Sequence, residues 1–207
     1  MTLEAPVGSV FPVGLVLQGR QCVIVGGGEA AVHRAQALLE AGASVHVITP
    51  HMTHDLLALA QLENVSLIQR DYQTGDLEGA SLAILVTRDD ALARRMATEA
   101  VALRLPFCAI DQPLHCSFVH LAVARCGSLV VAVSTSGKAP AFAARLKAEL
   151  GRLLDSANAG GFVEQLADLR ERVPVDIRGK LLRRLMRKVH LTGDLKLPGL
   201  DSEFPVD

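Results

Sequence analysis

Residues 22–49 read CVIVGGGEAAVHRAQALLEAGASVHVIT, and the stretch parses as strand, glycine turn, helix, strand. The run Cys22–Val25 is short, apolar and rich in β-branched residues, as suits a strand buried on both faces. Ala30, Ala31, Ala35, Leu38 and Leu39 recur at helical spacing, and Gly42 stands where a helix-terminating glycine belongs. Val45–Ile48 supplies the second strand. Between the first strand and the helix, Gly26, Gly28 and Ala31 fit the spacing G-x-G-x-x-A. Gly26 permits a tight turn, Gly28 lets a pyrophosphate approach the backbone, and Ala31 lets the helix lie close on the sheet. The helix N-terminus adds free N–H groups and a partial positive charge for the phosphates. The segment therefore predicts a dinucleotide site. An acidic residue commonly ends the second strand of such a unit and holds the ribose of NAD. Here that place is taken by Thr49, Pro50 and His51. Thr49 or His51 is left to meet a ribose, and charge does not choose between NAD and NADP.

Working outward, FPVGLVLQGR (residues 11–20) leads into the first strand. Downstream the pattern predicts a helix over Met52–Leu62, a strand over Val65–Gln69 and a polar loop over Asp71–Gly79. A strand over Leu82–Val86, an alanine-rich helix over Ala91–Leu103 and a strand over Phe107–Ile110 follow, with Asp111 directly after. This alternation predicts an α/β fold with a parallel Rossmann-type sheet and right-handed crossovers. Its carboxyl edge gathers three loops, Gly26–Ala31, Thr87–Asp90 and Asp111–Pro113.

From Ser117 the pattern changes. FVHLAVAR and SLVVAVST read as two strands of a hairpin around Cys126-Gly127. The polar loop Ser134-Thr135-Ser136-Gly137-Lys138 then precedes Pro140 and a helix over Ala141–Leu154. So small a sheet is marginal alone, which predicts that a second copy completes it in a homodimer. Ala157–Gly161 reads as a small-residue linker before helices over Phe162–Arg172 and Val175–Val189. The last helix carries Arg178, Lys180, Arg183, Arg184, Arg187 and Lys188, either a solvated face or a surface for a polyanionic small molecule. The tail from Gly193 reads as loose. The expected division is a dinucleotide-binding domain over 1–113, a small α+β dimerisation region over 114–150 and a helical C-terminal domain over 151–207.

Composition narrows the function. Half of the 207 residues are hydrophobic and 3% are aromatic, enough for an aliphatic core. A formal net charge of −1 argues against a general nucleic-acid binder. No run approaches a membrane-spanning length, and no secretory signal is expected. Cys22, Cys108, Cys116 and Cys126 show no C-x-x-C spacing, so they read as structural thiols of a cytoplasmic protein rather than zinc ligands.

Asp111 is the sharpest catalytic candidate: a carboxylate just past a strand, at the ligand edge, in a turn stiffened by Pro113. Such a group can accept a proton during oxidation of a ring system; the competing reading is an ordinary turn-forming aspartate. Ser134, Thr135, Ser136 and Lys138 precede a helix and suit an anion, or else the hydroxyls cap that helix. The seven histidines show no diagnostic metal spacing, and no resident metal is expected.

The ordered combination VIVGGGEAAVHRAQALLEAGASVHVITP, FCAIDQP, CSF and LVVAVSTSGKAPAFAARLKAEL resembles the precorrin-2 dehydrogenase and sirohydrochlorin ferrochelatase family, which includes the N-terminal module of siroheme synthase. The resemblance runs from Phe11 to Leu150; the helical remainder matches only in length and character. It implies a Rossmann domain for NAD, a dimerisation region with exchanged elements, and NAD-dependent oxidation of precorrin-2 to sirohydrochlorin. In many members ferrous iron is then inserted as a passing substrate. By the same resemblance the cofactor contacts fall on Glu29, Ala30, Pro50 and His51, the essential aspartate on Asp111, and the substrate-side serine on Thr135 with Ser134 beside it. Thr87, on the neighbouring loop of the ligand edge, joins the cofactor set. The family does without the ribose-binding acid, and without a methyltransferase domain the chain is not expected to make precorrin-2 itself. Arg125, Lys138, Arg145 and Lys147 are candidates for the eight carboxylates of the tetrapyrrole. Two other classes compete: a non-catalytic NAD-sensing module and a dehydrogenase for another small molecule.

Overall fold

The computed structural model describes residues 10–193 and 195–197. The readings made for the first nine residues and for the tail beyond 197 lie outside them. The chain begins with β1 (Gln21–Val25), α1 (Gly28–Glu40), β2 (Ser44–Ile48), α2 (His54–Leu59) and β3 (Val65–Ile68). It continues with β4 (Leu82–Leu85), α3 (Asp90–Ala102), β5 (Phe107–Ala109) and a single 3-10 turn, Pro113–His115. The five strands form one parallel sheet in the order β3-β2-β1-β4-β5. Val25 pairs with Ile48 on one side and Leu85 on the other, so β1, β2 and β4 end level. The strand order reverses between β1 and β4, and a doubly wound sheet opens a ligand crevice at that switch point.

Period-two alternation builds the core on both faces. Cys22, Ile24, Val45, Val47 and Ile84 pack on one side with Ala31, Ala35 and Leu38 of α1. Val23, Val25, Ile48, Leu85 and Phe107 pack on the other with Ala93, Met96 and Ala100 of α3. Alanines on the inner stripes of both helices bring their backbones close to the sheet. α2 is shorter than the sequence suggests. Thr53 caps it, its hydroxyl accepting from Leu56 N at 3.4 Å, and Gln61 and Leu62 leave the helix in turns that feed β3.

Beyond the sheet come β6 (Ala122–Cys126) and β7 (Leu129–Val133), joined by a two-residue turn with Gly127 at φ +56°. The helices α4 (Pro140–Ser156), α5 (Ala159–Arg172) and α6 (Val175–Met186) follow. The described chain divides into two compact units. One comprises residues up to Val123 and Ala132–Lys147; the other comprises Ala124–Val131 and residues from Ala148 onward. In the second unit the expected linker Ala157–Gly161 shrinks to a two-residue turn, Ala157-Asn158, and Ala159–Gly161 already begin α5. Gly160 N donates to Cys126 Sγ at 3.2 Å, and a Cβ added at Gly160 would lie 2.5 Å from the Cys126 carbonyl oxygen. The small residues there serve close packing, not flexibility. α6 ends at Met186, three residues early, as Lys188 and Val189 close turn hydrogen bonds onto Leu185 and Met186. No described helix is long and apolar enough to cross a membrane.

Candidate functional site

A cleft of about 430 Å³ lies at the carboxyl ends of the strands. Gly26, Gly27 and Gly28 line it from the turn after β1, Thr49, Pro50 and His51 from the end of β2, and Thr87 and Asp89 from the loop after β4. The three glycines do different work. Gly26 has φ +107°, and a Cβ there would fall 2.6 Å from Thr87 Cγ2 and 2.8 Å from Val86 Cγ2. A Cβ on Gly27 would meet Thr49 Oγ1 at 2.9 Å and the His51 carbonyl oxygen at 3.1 Å. Gly28 has φ +74° and open space where a side chain would go. The first two let loops close on one another, and the third leaves room above the start of a thirteen-residue helix. Gly27 is the N-cap of α1 and brings no side-chain acceptor, so the first N–H groups are free for an anion.

Thr87 Oγ1 is the one buried side-chain oxygen or nitrogen among the described residues without a hydrogen-bond partner. Buried polar atoms are normally paired; one left over on the wall of the cleft fits a ligand that completes it. A nicotinamide dinucleotide suits this surface, with glycine backbone and helix N-terminus for the pyrophosphate and polar atoms on either side.

The sequence left Thr49 and His51 open for the ribose, and the structure separates them. Thr49 is buried, and its hydroxyl is taken up by its own turn, donating to the His51 carbonyl and accepting from His51 N, both at 3.2 Å. His51 is exposed at the rim. Glu29 and Ala30 stand exposed on the first turn of α1 and are not among the lining residues, whereas Ala31 is wholly buried against the sheet.

Residues that the sequence reading passed over also reach the cleft: Thr53, Asp71 and Tyr72. The signal was available, because β3 ends at the same edge as β1 and the residues just after it must arrive there. The loop that carries Asp71 is irregular yet pinned. Arg70 donates to both carboxylate oxygens of Asp76 at 2.7 Å, and Gly75 N donates to Glu99 at 2.9 Å. The Tyr72 hydroxyl donates to Glu99; burial and that bond push the phenol well above its ordinary range, so it stays neutral.

Asp111 sits beside the cleft rather than in its wall. Its φ is +60°, a left-handed conformation uncommon outside glycine. Arg88 holds Asp111 Oδ2 through Nη2 at 2.7 Å and Nε at 3.2 Å. Gln112 Nε2 donates to the Thr87 carbonyl at 2.9 Å, and Ile110 N to the Leu85 carbonyl at 2.9 Å. The Asp111 turn is thus stitched to the loop that presents Thr87. Pro113 opens the 3-10 turn, and His115 Nε2 lies 2.8 Å from Asp90 Oδ1. The three loops expected at one edge are all there: two line the cleft, and the third is tied to it by the hydrogen bond from Gln112 to the Thr87 carbonyl.

The loop Ser134–Lys138 is folded on itself. Ser134 Oγ accepts from Ser136 N at 3.1 Å, and Thr135 Oγ1 accepts from Ala139 N at 3.1 Å. Both hydroxyls thereby organise the approach to α4, keep their own hydrogens to donate, and are not lining residues of the cleft. Ser136 and Gly137 complete the loop at φ +52° and +77°. Among the described residues no group of three or more His, Cys, Asp or Glu side chains is placed to hold a metal ion.

With this geometry described, comparison with known proteins is informative. The family described as "Putative NAD(P)-binding" matches residues 13–122, more than half of the chain. A second, described as "Sirohaem biosynthesis protein central", matches residues 127–153. The siroheme synthase of Pseudomonas entomophila (strain L48) is 38% identical over 147 residues, 71% of this chain and 32% of that protein. The siroheme synthase of Stutzerimonas stutzeri (strain A1501) is 34% identical over 173 residues, 84% of this chain and 36% of that protein. The chain thus spans about a third of the length of these relatives. Among solved structures, SirC, a precorrin-2 dehydrogenase, superposes with a TM-score of 0.69 at 20% identity, covering 86% of this chain and 89% of that one. The same fold underlies both. The chain belongs to the NAD(P)-binding family of the first match, and the cofactor to which its cleft is fitted is a nicotinamide dinucleotide.

Proposed function

We propose that this protein is the NAD-dependent dehydrogenase that oxidises precorrin-2 to sirohydrochlorin in sirohaem synthesis. The observation that carries the reading is Asp111: a carboxylate in a strained turn, ion-paired to Arg88 and stitched to the loop whose Thr87 lines the nucleotide cleft. The siroheme synthase relatives and the precorrin-2 dehydrogenase fold support the substrate.

Bound NAD supplies the hydride acceptor. Asp111 takes the proton released as the tetrapyrrole gives up a hydride and a proton. Arg88 orients that carboxylate, and being exposed it can also turn to a substrate carboxylate. NAD is favoured over NADP because the cleft wall carries Asp71 and Asp89 and neither arginine nor lysine, so a 2′-phosphate would meet like charge. Gly26 and Gly28 give the pyrophosphate its approach, Ala31 the close helix, and Pro50 and His51 the ribose side; Glu29 and Ala30 flank the entrance. Ser134, Thr135, Ser136 and Lys138 receive substrate carboxylates. Sirohydrochlorin can then accept ferrous iron, with Asp111 removing pyrrole protons. The hairpin β6–β7 exposes Val123 and Val130, which supports pairing with a second copy in a dimerisation region between the nucleotide domain and the helical C-terminal domain. Four free thiols suit a cytoplasmic setting.

Anaerobic incubation of precorrin-2 with NAD tests the reading, following NADH and sirohydrochlorin together. The wild type forms both. Asp111→Ala keeps NAD affinity and loses turnover by about 10²- to 10⁴-fold. NAD binding without any turnover by the wild type would sink the proposal in favour of a sensor. Ferrous iron added afterwards tests the chelatase step.

A further inference from the structure

Cys108 and Cys116 stand at the two ends of the segment that carries Asp111. Cys108 is the buried middle residue of β5, and Cys116 follows the 3-10 turn, partly open to solvent. Their Sγ atoms are 3.6 Å apart. The chain reversal that brings them together is fixed by Ser117 N donating to the Phe107 carbonyl at 2.8 Å and Phe107 N donating to Ser117 Oγ at 2.9 Å. Cys116 Sγ also lies 3.2 Å from the Ala109 carbonyl oxygen and 3.5 Å from that of Gln112, inside the concave side of the Asp111 turn. No step of the proposed dehydrogenase uses either thiol.

The two sulfurs are unequal. Hydrogen bonding from Cys108 holds the Cys116 thiol down to about 7 against its partial burial, while the same contact and burial push Cys108 well up. His115 beside Cys116 and Arg34 near Cys108 add positive charge. Cys116 is therefore the nucleophile and Cys108 the resolving thiol. The other two thiols lack such a partner: Cys22 is fully buried and raised to about 11, and Cys126 accepts from Gly160 N.

We propose that Cys108 and Cys116 form a reversible intramolecular disulfide when the protein meets a hydroperoxide, and that closing it displaces the Asp111 turn. The Cys116 thiolate attacks the terminal peroxide oxygen. The O–O bond breaks, the alcohol or water leaves, and a sulfenic acid remains. Cys108 sulfur then attacks Cys116 sulfur and expels hydroxide, which takes up the Cys108 proton as water. Two thiols are oxidised and one hydroperoxide is reduced. The bridge needs the sulfurs to close to about 2.05 Å, so Cys116 must leave the Ala109 and Gln112 carbonyls that hold the turn. The effect on turnover rests on the dehydrogenase reading; the disulfide does not.

The test exposes the full chain to hydrogen peroxide, alkylates it with iodoacetamide and maps peptides without reduction. Free thiols fall from the four of the reduced chain to two, with residues 108 and 116 linked within one chain and dithiothreitol restoring them. Cys108→Ser stops at a sulfenic acid on Cys116 that dimedone traps, and Cys116→Ser forms no bridge. Amide exchange across residues 110–115 rises in the bridged form, and precorrin-2 turnover falls about tenfold or more while NAD binding persists. Continued alkylation of both residues, over-oxidation of Cys116 with no link, or a link only between chains would overturn the bridge. A bridge with unchanged exchange and unchanged turnover would overturn its action on Asp111. Failure of the reduced protein to turn over at all would count against the dehydrogenase and leave the bridge to be judged by the peptide map.

Discussion

The parallel sheet and the hairpin that follows it are both built from aliphatic strands, yet they are buried to different degrees. Every residue of β4 and β5, and all but the first of β1, is buried between helices. In β6 and β7 only Ala124 is buried, and Val123 and Val130 stand 39% and 48% exposed. A parallel strand must be covered on both faces, and the helices that cover it are its own crossovers. A two-residue hairpin brings no crossover, so its cover has to come from elsewhere. The first region brings its own cover, and the second leaves part of its apolar surface open.

The largest expected effect tests that contrast directly. Ile84→Ala in β4 leaves a cavity between α1 and the sheet and costs about 3 kcal/mol in urea unfolding. Val130→Ala trims a side chain already half in water and changes stability by about 0.5 kcal/mol or less in dilute protein. Instead it weakens self-association, measured by sedimentation across concentration. Equal losses from the two substitutions would mean the hairpin is as closed as the sheet, and a concentration-independent monomer would remove the second copy.

A finer contrast lies within the glycine turn. Gly26→Ala puts a methyl 2.6 Å from Thr87 Cγ2 in a backbone conformation that disfavours side chains, and costs about 2–3 kcal/mol. Gly28→Ala meets only open space at φ +74° and costs about 1–2 kcal/mol of backbone strain. Its larger effect is on NAD, whose affinity falls about tenfold or more because the methyl occupies the approach to the helix N-terminus. Calorimetry of folding and of NAD binding separates the two. If Gly28→Ala left NAD binding intact, the pyrophosphate would have to lie elsewhere.

These pairs also mark what the sequence made legible. Strand, turn and helix were readable from Cys22 to Thr49 because local pattern and tertiary role coincide there: the apolar run is a buried strand, and each glycine is fixed by its immediate neighbours. Asp111 was readable as an edge residue because it directly follows a strand. Its φ of +60° and its pairing with Arg88 were not, since they depend on a loop twenty-three residues away. Asp71 and Tyr72 were passed over because a polar, glycine-containing stretch reads as loop, and nothing local says that Glu99 anchors it. Ala157–Gly161 misled for the opposite reason. Small residues that suggest flexibility were selected for the close approach of Gly160 to Cys126. The three-part division of the chain stays a proposal alongside the dimer.

The overlooked loop gives the third effect. Asp71→Asn keeps the shape of the cleft wall and removes a charge beside the proposed ribose. NAD affinity falls by about fivefold to tenfold, the worth of one charge-assisted hydrogen bond, and NADP gains relative to NAD. Fluorescence titration with both cofactors reads this. An unchanged ratio would leave selectivity to His51 and the backbone.

The smallest effect concerns how that loop is held. The Ser134–Lys138 loop is held by two of its own hydroxyls and by Lys138 N donating to the Thr135 carbonyl, whereas the Asp71–Gly79 loop is tied by an ion pair between Arg70 and a largely buried Asp76. Arg70's hydrogen bonds hold the Asp76 carboxyl below its ordinary range against some burial, with the bond from Gln73 N and then Arg70's charge adding to them. A carboxyl whose folded pKa is depressed binds protons less readily than in the unfolded chain. Its stabilisation is therefore fully present above the ordinary carboxylate pKa of about 4 and disappears as pH falls through the folded value. Because Arg70 is partly exposed, solvent screening limits the pair, and Asp76→Asn should cost about 1 kcal/mol at pH 7. Below about pH 4 the wild type and the variant should converge. Urea unfolding at several pH values separates this from a packing effect: a gap that persisted at low pH would assign the loss to packing rather than to the carboxylate's bonds with Arg70 and Gln73 N.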